Sequence, residues 1–395
     1  REQPGEQRGA QVPDMQIARR RRGISTGWHT GKTSAAQHDR CNDEIVDLPV
    51  NPPVAPMLAK AVAAVPPQPD DGDRWLYEPK WDGFRVLLFR DGDEVAMESR
   101  GGKDLARYFP EIVEAARVEL PDKVVLDGEI GVARSFDGVH RLDWDALSQR
   151  IHPAKSRIDM LAEQTPAIVI GFDALALGRA DLMNEPFEVR RAALLEAVGS
   201  RGAASSIRAS RVTADTAVAN RWFSAFEGAG LDGIVAKDRH GVYVPGKREM
   251  LKIKHKRTAD CVIIGYRVHK SGTGVGSLLL GLYGDDGELR MVGGSAAFSD
   301  TKRVELQAQL EPMRLDGDKP HAGELTRWRQ AGSGDFFPVR HELVAEFAYD
   351  QMENGRFRHT VKFLRWRPDR DPSSCRYDQL EVPLDYDLYS VLEDN

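Results

Sequence analysis

Only three cysteines occur in 395 residues, and none forms a C-x-x-C pair: Cys41, Cys261 and Cys375 lie far apart. That spacing argues against a disulfide framework and against a structural zinc site. Long apolar runs are missing as well. No stretch approaches the roughly 18 apolar residues of a membrane span, so no membrane partner is expected. No leader with an apolar central region is visible either, which makes the cytoplasm the expected compartment. Internal repeats are lacking. The chain also lacks an overall excess of positive charge: its formal net charge is −6. A negative total does not suggest a nucleic-acid binder, but binding depends on local patches. One basic run holds Lys247, Arg248, Lys252, Lys254, Lys256 and Arg257, and another holds Arg356, Arg358, Lys362, Arg365, Arg367 and Arg370. With 41% hydrophobic and 29% charged residues, the composition is that of an ordinary soluble chain long enough for two domains.

Residues 1–46 have almost no periodic apolar pattern and carry four consecutive arginines, Arg19 to Arg22. Such a segment buries too little surface to offset its ordering entropy, so a disordered N-terminal extension is expected, with the folded protein starting near Val46. It contains one decoy, Thr30-Gly31-Lys32-Thr33-Ser34, which looks like the end of a phosphate-binding loop. The required first glycine is replaced by Thr26, and no apolar strand precedes it, so the decoy is rejected.

From Asp47 onward strand and helix patterns mix. Strands are expected at Trp75–Pro79, Phe84–Arg90, Glu94–Ser99, Lys123–Asp127 and Ala167–Leu175. Helices are expected at Leu58–Ala64, Pro110–Glu119, Leu142–Gln149, Glu185–Ala197 and Thr213–Ala229. After about Arg257 the pattern turns to strands: Asp260–His269, Ser277–Tyr283, Leu289–Gly293, Leu343–Tyr349 and a final basic strand. One helix interrupts them, with Ser299 as its N-cap. Strands with one helix over roughly 130 residues suit a small Greek-key barrel of the OB type, a common nucleic-acid platform.

The chemistry-bearing stretch is Glu78-Pro79-Lys80-Trp81-Asp82-Gly83-Phe84-Arg85. A lysine that attacks phosphorus must shed a proton, which cationic neighbours and partial desolvation favour. Arginines nearby can hold the phosphate it attacks. The stretch resembles motif I of the covalent nucleotidyltransferases, whose lysine carries a nucleotide as a phosphoramidate. Ser99-Arg100-Gly101-Gly102 resembles motif Ia, and Leu126-Asp127-Gly128-Glu129 resembles motif III. Gly171-Phe172-Asp173 resembles motif IIIa, Leu231 to Lys237 motif IV, and Leu251-Lys252-Ile253-Lys254 motif V. The run Arg356 to Asp369 looks like motif VI. Together these resemble the ATP-dependent DNA ligase family over essentially all of residues 47–395, and within it most of all the small bacterial ligases of the C type.

The resemblance implies an α+β, ATP-grasp-like nucleotidyltransferase (adenylation) domain over residues 47–256, with mixed sheets and flanking helices, followed by an OB-fold barrel over residues 257–395. It implies a monomeric bacterial cytosolic enzyme that seals 3′-OH/5′-phosphate nicks in duplex DNA with ATP and Mg²⁺ or Mn²⁺, with repair the expected setting. Lys80 would capture AMP. Glu78 would contact adenine and Phe172 would stack on it. Arg85, Arg100, Glu129, Arg248, Lys252 and Lys254 would bind the rest of ATP. Glu129 and Asp232 would hold the metal, although motif IV usually opens with glutamate and Asp232 is one methylene shorter. Arg365 and Arg367 would orient the leaving pyrophosphate. Two alternatives share part of this pattern: an RNA ligase or capping-type guanylyltransferase, and a non-catalytic DNA-binding OB protein with a degenerate nucleotidyltransferase domain. The glutamate before Lys80 and the form of the C-terminal motif favour a DNA ligase over the first. Intact Lys80, Glu129, Lys252 and Lys254 speak against the second.

Overall fold

Val86 to Phe89, Val124 to Leu126 and Val169 to Ile170 are apolar, extended and buried, and they build the centre of the molecule. The computed structural model describes residues 47–70, 72–199, 205–315, 320–321, 334–353, 355–381 and 383–392. The extension expected at residues 1–46 lies outside the described residues. Among the described residues, the chain opens with β1 (Leu58–Ala61), β2 (Trp75–Pro79), β3 (Phe84–Asp91) and β4 (Glu94–Ser99). Next come α1 (Pro110–Glu119), β5 (Lys123–Phe136), β6 (Val139–Leu142), α2 (Trp144–Gln149) and α3 (Lys155–Gln164). β7 (Ala167–Leu177), β8 (Ala180–Asp181), α4 (Phe187–Val198), β9 (Ile207–Ala209) and α5 (Thr216–Ala225) follow. β10 (Ile234–Asp238) and β11 (Arg248–Ile253) complete this half.

These strands make two sheets, ordered β1-β11-β10-β2 and β4-β3-β5-β7-β8. Both are mixed, because β1 runs parallel to β11 and β9 parallel to β7 while the other pairs are antiparallel. The period-2 alternation of β3 shows how they stack. Val86 and Leu88 face a core with Ile112 and Ala116 of α1 and Leu194 of α4. Leu87 and Phe89 face the other way, onto Met57, Tyr243 and Met250 beside the first sheet. The two sheets therefore pack face to face.

The second half begins at β12 (Arg257–Val268), followed by β13 (Val275–Tyr283), β14 (Leu289–Ser295) and α6 (Asp300–Leu310). β15 (Phe337–Pro338), β16 (Val344–Tyr349), β17 (Met352–Glu353), β18 (Arg356–Phe357) and β19 (Lys362–Trp366) follow, and α7 (Leu388–Leu392) is last. Strand order β14-β13-β12-β16-β19 encloses its own core, including Val262, Leu280, Phe347 and Leu306 of α6. This is the OB-like part. Ser299 caps α6 as expected, its Oγ accepting from the Lys302 N–H at 3.3 Å.

Several expectations differ. The helix expected at Leu58–Ala64 is instead strand β1, because the edge of β11 offers it a backbone partner. The strand expected to end near Asp127 runs on to Phe136, paired in turn with β3, β7 and β6. Helix α3, with Ile158 and Leu161 buried, was hidden by its polar composition. Residues 383–392, which the expected boundary assigns to the barrel, pack against the first half: Leu388, Val391 and Leu392 share a cluster with Trp81, Phe226 and Leu231.

Candidate active site

Lys80 stands where β2 ends, in a turn pinned to the turn before β10. Its N–H donates to the Gly233 carbonyl at 2.8 Å, and its carbonyl accepts from the Asp232 N–H at 2.9 Å. Two glycines make this possible. A Cβ on Gly233, at φ +124°, would lie 2.0 Å from the Ile253 carbonyl oxygen. One on Gly83 would lie 1.9 Å from the Ile130 carbonyl oxygen. Each of these glycines is therefore where another backbone segment comes too close for a side chain.

Asp232 Oδ2 lies 2.7 Å from Lys80 Nζ and 2.8 Å from Lys254 Nζ. Burial opposes ionisation of Asp232, yet the two ammonium groups hold its carboxyl below the usual range. Lys254 also reaches Asp350 of the barrel half at 3.1 Å. Burial would lower the Lys254 pKa, but Asp232 and Asp350 raise it overall. Lys252 is pushed down, first by burial and then by the charges of Lys80, Lys254 and Arg100. This corner is rich in cations, as a phosphate site needs to be.

Glu129 Oε1 accepts from the Gly83 N–H at 3.1 Å, and burial pushes its carboxyl up to about 7. A buried carboxylate that ionises reluctantly is stabilised by an added cation, so Glu129 fits a metal ligand. Asp232 fits less directly, because two lysines share its Oδ2. Among the described residues no group of three or more His, Cys, Asp or Glu could hold a metal ion. A hard cation here would have to take most of its oxygens from nucleotide phosphates and water, the usual habit of Mg²⁺.

At the other end, Glu78 and Lys237 are buried on neighbouring strands β2 and β10. Lys237 Nζ lies 2.8 Å from Glu78 Oε2 and donates to the Phe172 carbonyl at 2.6 Å. Among the described residues, Glu78 Oε1 has no hydrogen-bond partner. The Phe172 ring has Arg85 Cζ 4.9 Å and Lys237 Nζ 4.8 Å from its centroid. Arg85 itself is bound to Asp127, with Nε–Oδ1 at 2.7 Å and Nη2–Oδ2 at 2.6 Å, and Tyr243 Oη donates to the same carboxylate at 2.7 Å. Burial would lower the Arg85 pKa, but Asp127 holds it above the ordinary value.

Most of these groups line one cavity of about 400 Å³, which is in the range of small-molecule sites. Of the expected residues it brings together Glu78, Lys80, Arg85, Arg100 and Glu129, and also Phe172, Asp232, Arg248, Lys252 and Lys254. It does not bring in Arg365 or Arg367. Arg365 Nε donates to Glu346 Oε2 at 2.6 Å, across the β16–β19 pair. Arg367 is held by Asp260 at 2.8 Å and Asp369 at 2.7 Å. The barrel half supplies Arg358 and His359 instead. Arg358 pairs with Asp82 and lies 3.7 Å over the Trp144 ring, and burial pushes its pKa down to about 10. Sequence reasoning saw Arg358 only as one of six basic residues in its run. Lys237 closes the motif IV stretch in the sequence, and the apolar run Ile234-Val235-Ala236 just before it is the signal that it lies on a buried strand.

Known proteins carry the same pattern. Residues 56–254 match the ATP dependent DNA ligase domain, and residues 271–370 match the ATP dependent DNA ligase C terminal region. DNA ligase C1 of Mycolicibacterium smegmatis is 59% identical over 354 residues, covering 88% of this chain and 100% of that protein. DNA ligase C of Mycobacterium tuberculosis is 52% identical over 364 residues, covering 88% and 99%. A solved structure named Pmar-Lig_PreS3 covers 80% of this chain and 68% of that one at 20% identity and TM-score 0.52, a likeness of fold alone. The chain belongs to the bacterial C-type ATP-dependent DNA ligases.

Proposed function

We propose that this ligase seals nicks in duplex DNA through AMP carried on Lys80, with the cavity residues in the roles their positions suggest. The observation that carries this reading is the Lys80–Asp232–Lys254 cluster at one end of a cavity whose other end offers a half-buried ring, Phe172, and an unpartnered carboxylate oxygen on Glu78. A purine stacked on Phe172 gains apolar area. An ionised Glu78 accepts only, so it suits the exocyclic amine of adenine rather than the carbonyl of guanine.

Lys80 Nζ, as the free amine, attacks the α-phosphorus. A P–N bond forms, the bond to the bridging oxygen breaks, pyrophosphate leaves with that electron pair, and the amine proton passes to solvent. Lys252 and Lys254 neutralise charge building on the α-phosphate. Arg100 and Arg248, on the cavity wall, meet the remaining nucleotide oxygens. Arg85 acts by supporting Phe172 and Asp127 more than by touching phosphate. Glu129 and, less directly, Asp232 would hold a divalent cation, Mg²⁺ or Mn²⁺, whose charge would offset that of the nucleotide phosphates. Among the described residues, Arg358 is the barrel arginine that lines the site in this arrangement. Arg365 and Arg367, proposed from the family likeness to orient pyrophosphate, would need the barrel placed differently. In the later steps AMP passes to the DNA 5′-phosphate, and the 3′-OH then displaces it.

Labelled ATP or GTP, followed by a nicked DNA or nicked RNA duplex, tests the reading. Label capture from ATP and joining of the DNA duplex are expected. Capture from GTP alone, or joining of RNA alone, would contradict it.

A further inference from the structure

The chain leaves the barrel and returns to the adenylation half beside the point where it first crossed over. Arg257, at the first crossing, pairs with Glu227 of the adenylation half and lies 3.4 Å from Glu381 on the return. Gln379 accepts from the Asp260 N–H at 2.8 Å and donates to the Asp260 carbonyl at 3.1 Å. The return passage then runs tightly over Gly228, where a Cβ would lie 1.8 Å from the Leu384 carbonyl oxygen. Asp387 Oδ2 accepts from the His140 N–H at 2.9 Å and lies 3.1 Å from its Nδ1. The Tyr389 ring meets His140 edge-on at 4.7 Å, and Tyr386 lies 5.1 Å from Phe226.

This docking is neither polar decoration nor remote from the chemistry. Leu388 and Val391 are fully buried, and their cluster contains Trp81, the residue between Lys80 and Asp82. The Trp81 indole is held on its polar side by a 2.8 Å hydrogen bond from Nε1 to Ser210 Oγ. The same cluster contains Leu231, next to the Asp232 that holds Lys80. The family match stops at residue 370, so this passage lies beyond it.

We propose that Pro383–Leu392 is a positioning element for AMP capture: Leu388 and Val391 hold Trp81, and through it the turn that presents Lys80. The proposal rests on Lys80 being the nucleophile. It predicts a split between reaction steps, because sealing a nick that already carries 5′-AMP does not use Lys80 as a nucleophile.

The test uses the full chain with Leu388→Ala/Val391→Ala, and separately Gly228→Ala, which pushes the passage outward without altering its side chains. Both should slow AMP capture at saturating ATP by about tenfold or more, the scale of a nucleophile displaced by a fraction of an ångström. KM for ATP and the rate on a pre-adenylylated nick should stay within about twofold. Leu388→Met should restore capture, and Leu384→Ala, at an exposed position, should leave it unchanged. If the core variants damage folding generally, all three readouts fall together, and Asp387→Ala then provides the milder test with the same split expected. Unchanged AMP capture in both the core and Gly228 variants would overturn the proposal, as would equal loss of AMP capture and pre-adenylylated sealing in every variant including Asp387→Ala. Failure of the underlying reading looks different: the unaltered chain would then capture no AMP on Lys80 at all.

Discussion

Burial alone favours the neutral form of Glu78, and Lys237 opposes it with a charge 2.8 Å away. The burial effect is the larger, so the Glu78 pKa stays above that of an ordinary glutamate even with Lys237 and Arg191 nearby. Removing Lys237 takes away the strongest opposing charge and raises it further. Since a carboxyl group is neutral below its pKa and ionised above it, Lys237→Met should weaken ATP binding near neutral pH and recover as pH rises. The expected loss is about tenfold in KM, the worth of one charge-assisted hydrogen bond. A loss that does not change with pH would mean that Lys237 only fills space. Lys80 permits a sharper test. Lys80→Ala should abolish AMP capture yet still seal a pre-adenylylated nick slowly, as a gel assay of the two steps would show. Stable AMP on another residue would shift the nucleophile elsewhere.

The β17–β18 hairpin carries Arg358 to the edge of the cavity, with Glu353 4.0 Å from its Nε. Its reach could not be read from the sequence. The basic run was legible, but which arginine turns inward depends on strand ends and on Asp82, 276 residues away in the chain. Arg365 and Arg367 fit the expected motif better by spacing, yet the β16–β19 register puts Glu346 opposite Arg365 and leaves that arginine at the surface. By contrast, Lys80, Glu129, Phe172, Lys252 and Lys254 were legible, since short strands and tight glycine turns place them almost by local rules. β1 was not legible, because a four-residue strand owes its form to the neighbour it pairs with. Arg358→Ala should slow AMP capture by about a hundredfold, the scale of one lost positioned charge. Arg365→Ala should stay within about threefold, as surface ion pairs contribute little. The reverse ranking would favour a different barrel placement during this step. Glu353 adds a pH dependence. Burial and the nearby Asp145 and Asp143 push it up to about 7, so raising the pH through neutrality charges it against them. That repulsion should weaken the hairpin's contact, and Glu353→Gln should flatten the decline in AMP capture above about pH 7.

At the scale of the whole molecule, a net charge of −6 coexists with basic groups concentrated at the cavity and along β19. The total repels DNA while the patches attract it, so nick affinity should rest on local phosphate contacts. Binding measured by titration should weaken by at least about tenfold between low and physiological salt, and a flat response would contradict that view. The central claim is nonetheless chemical: one chain holds AMP covalently on Lys80 before it meets DNA. Intact mass spectrometry of the full chain, after incubation with ATP and Mg²⁺, tests this most directly. The account predicts a gain of one adenylyl group per chain, mapped to Lys80 by peptide digestion and discharged by a nicked DNA duplex as the strand is joined. A chain that seals the nick but never gains this mass, or gains it on a residue other than Lys80, would contradict it.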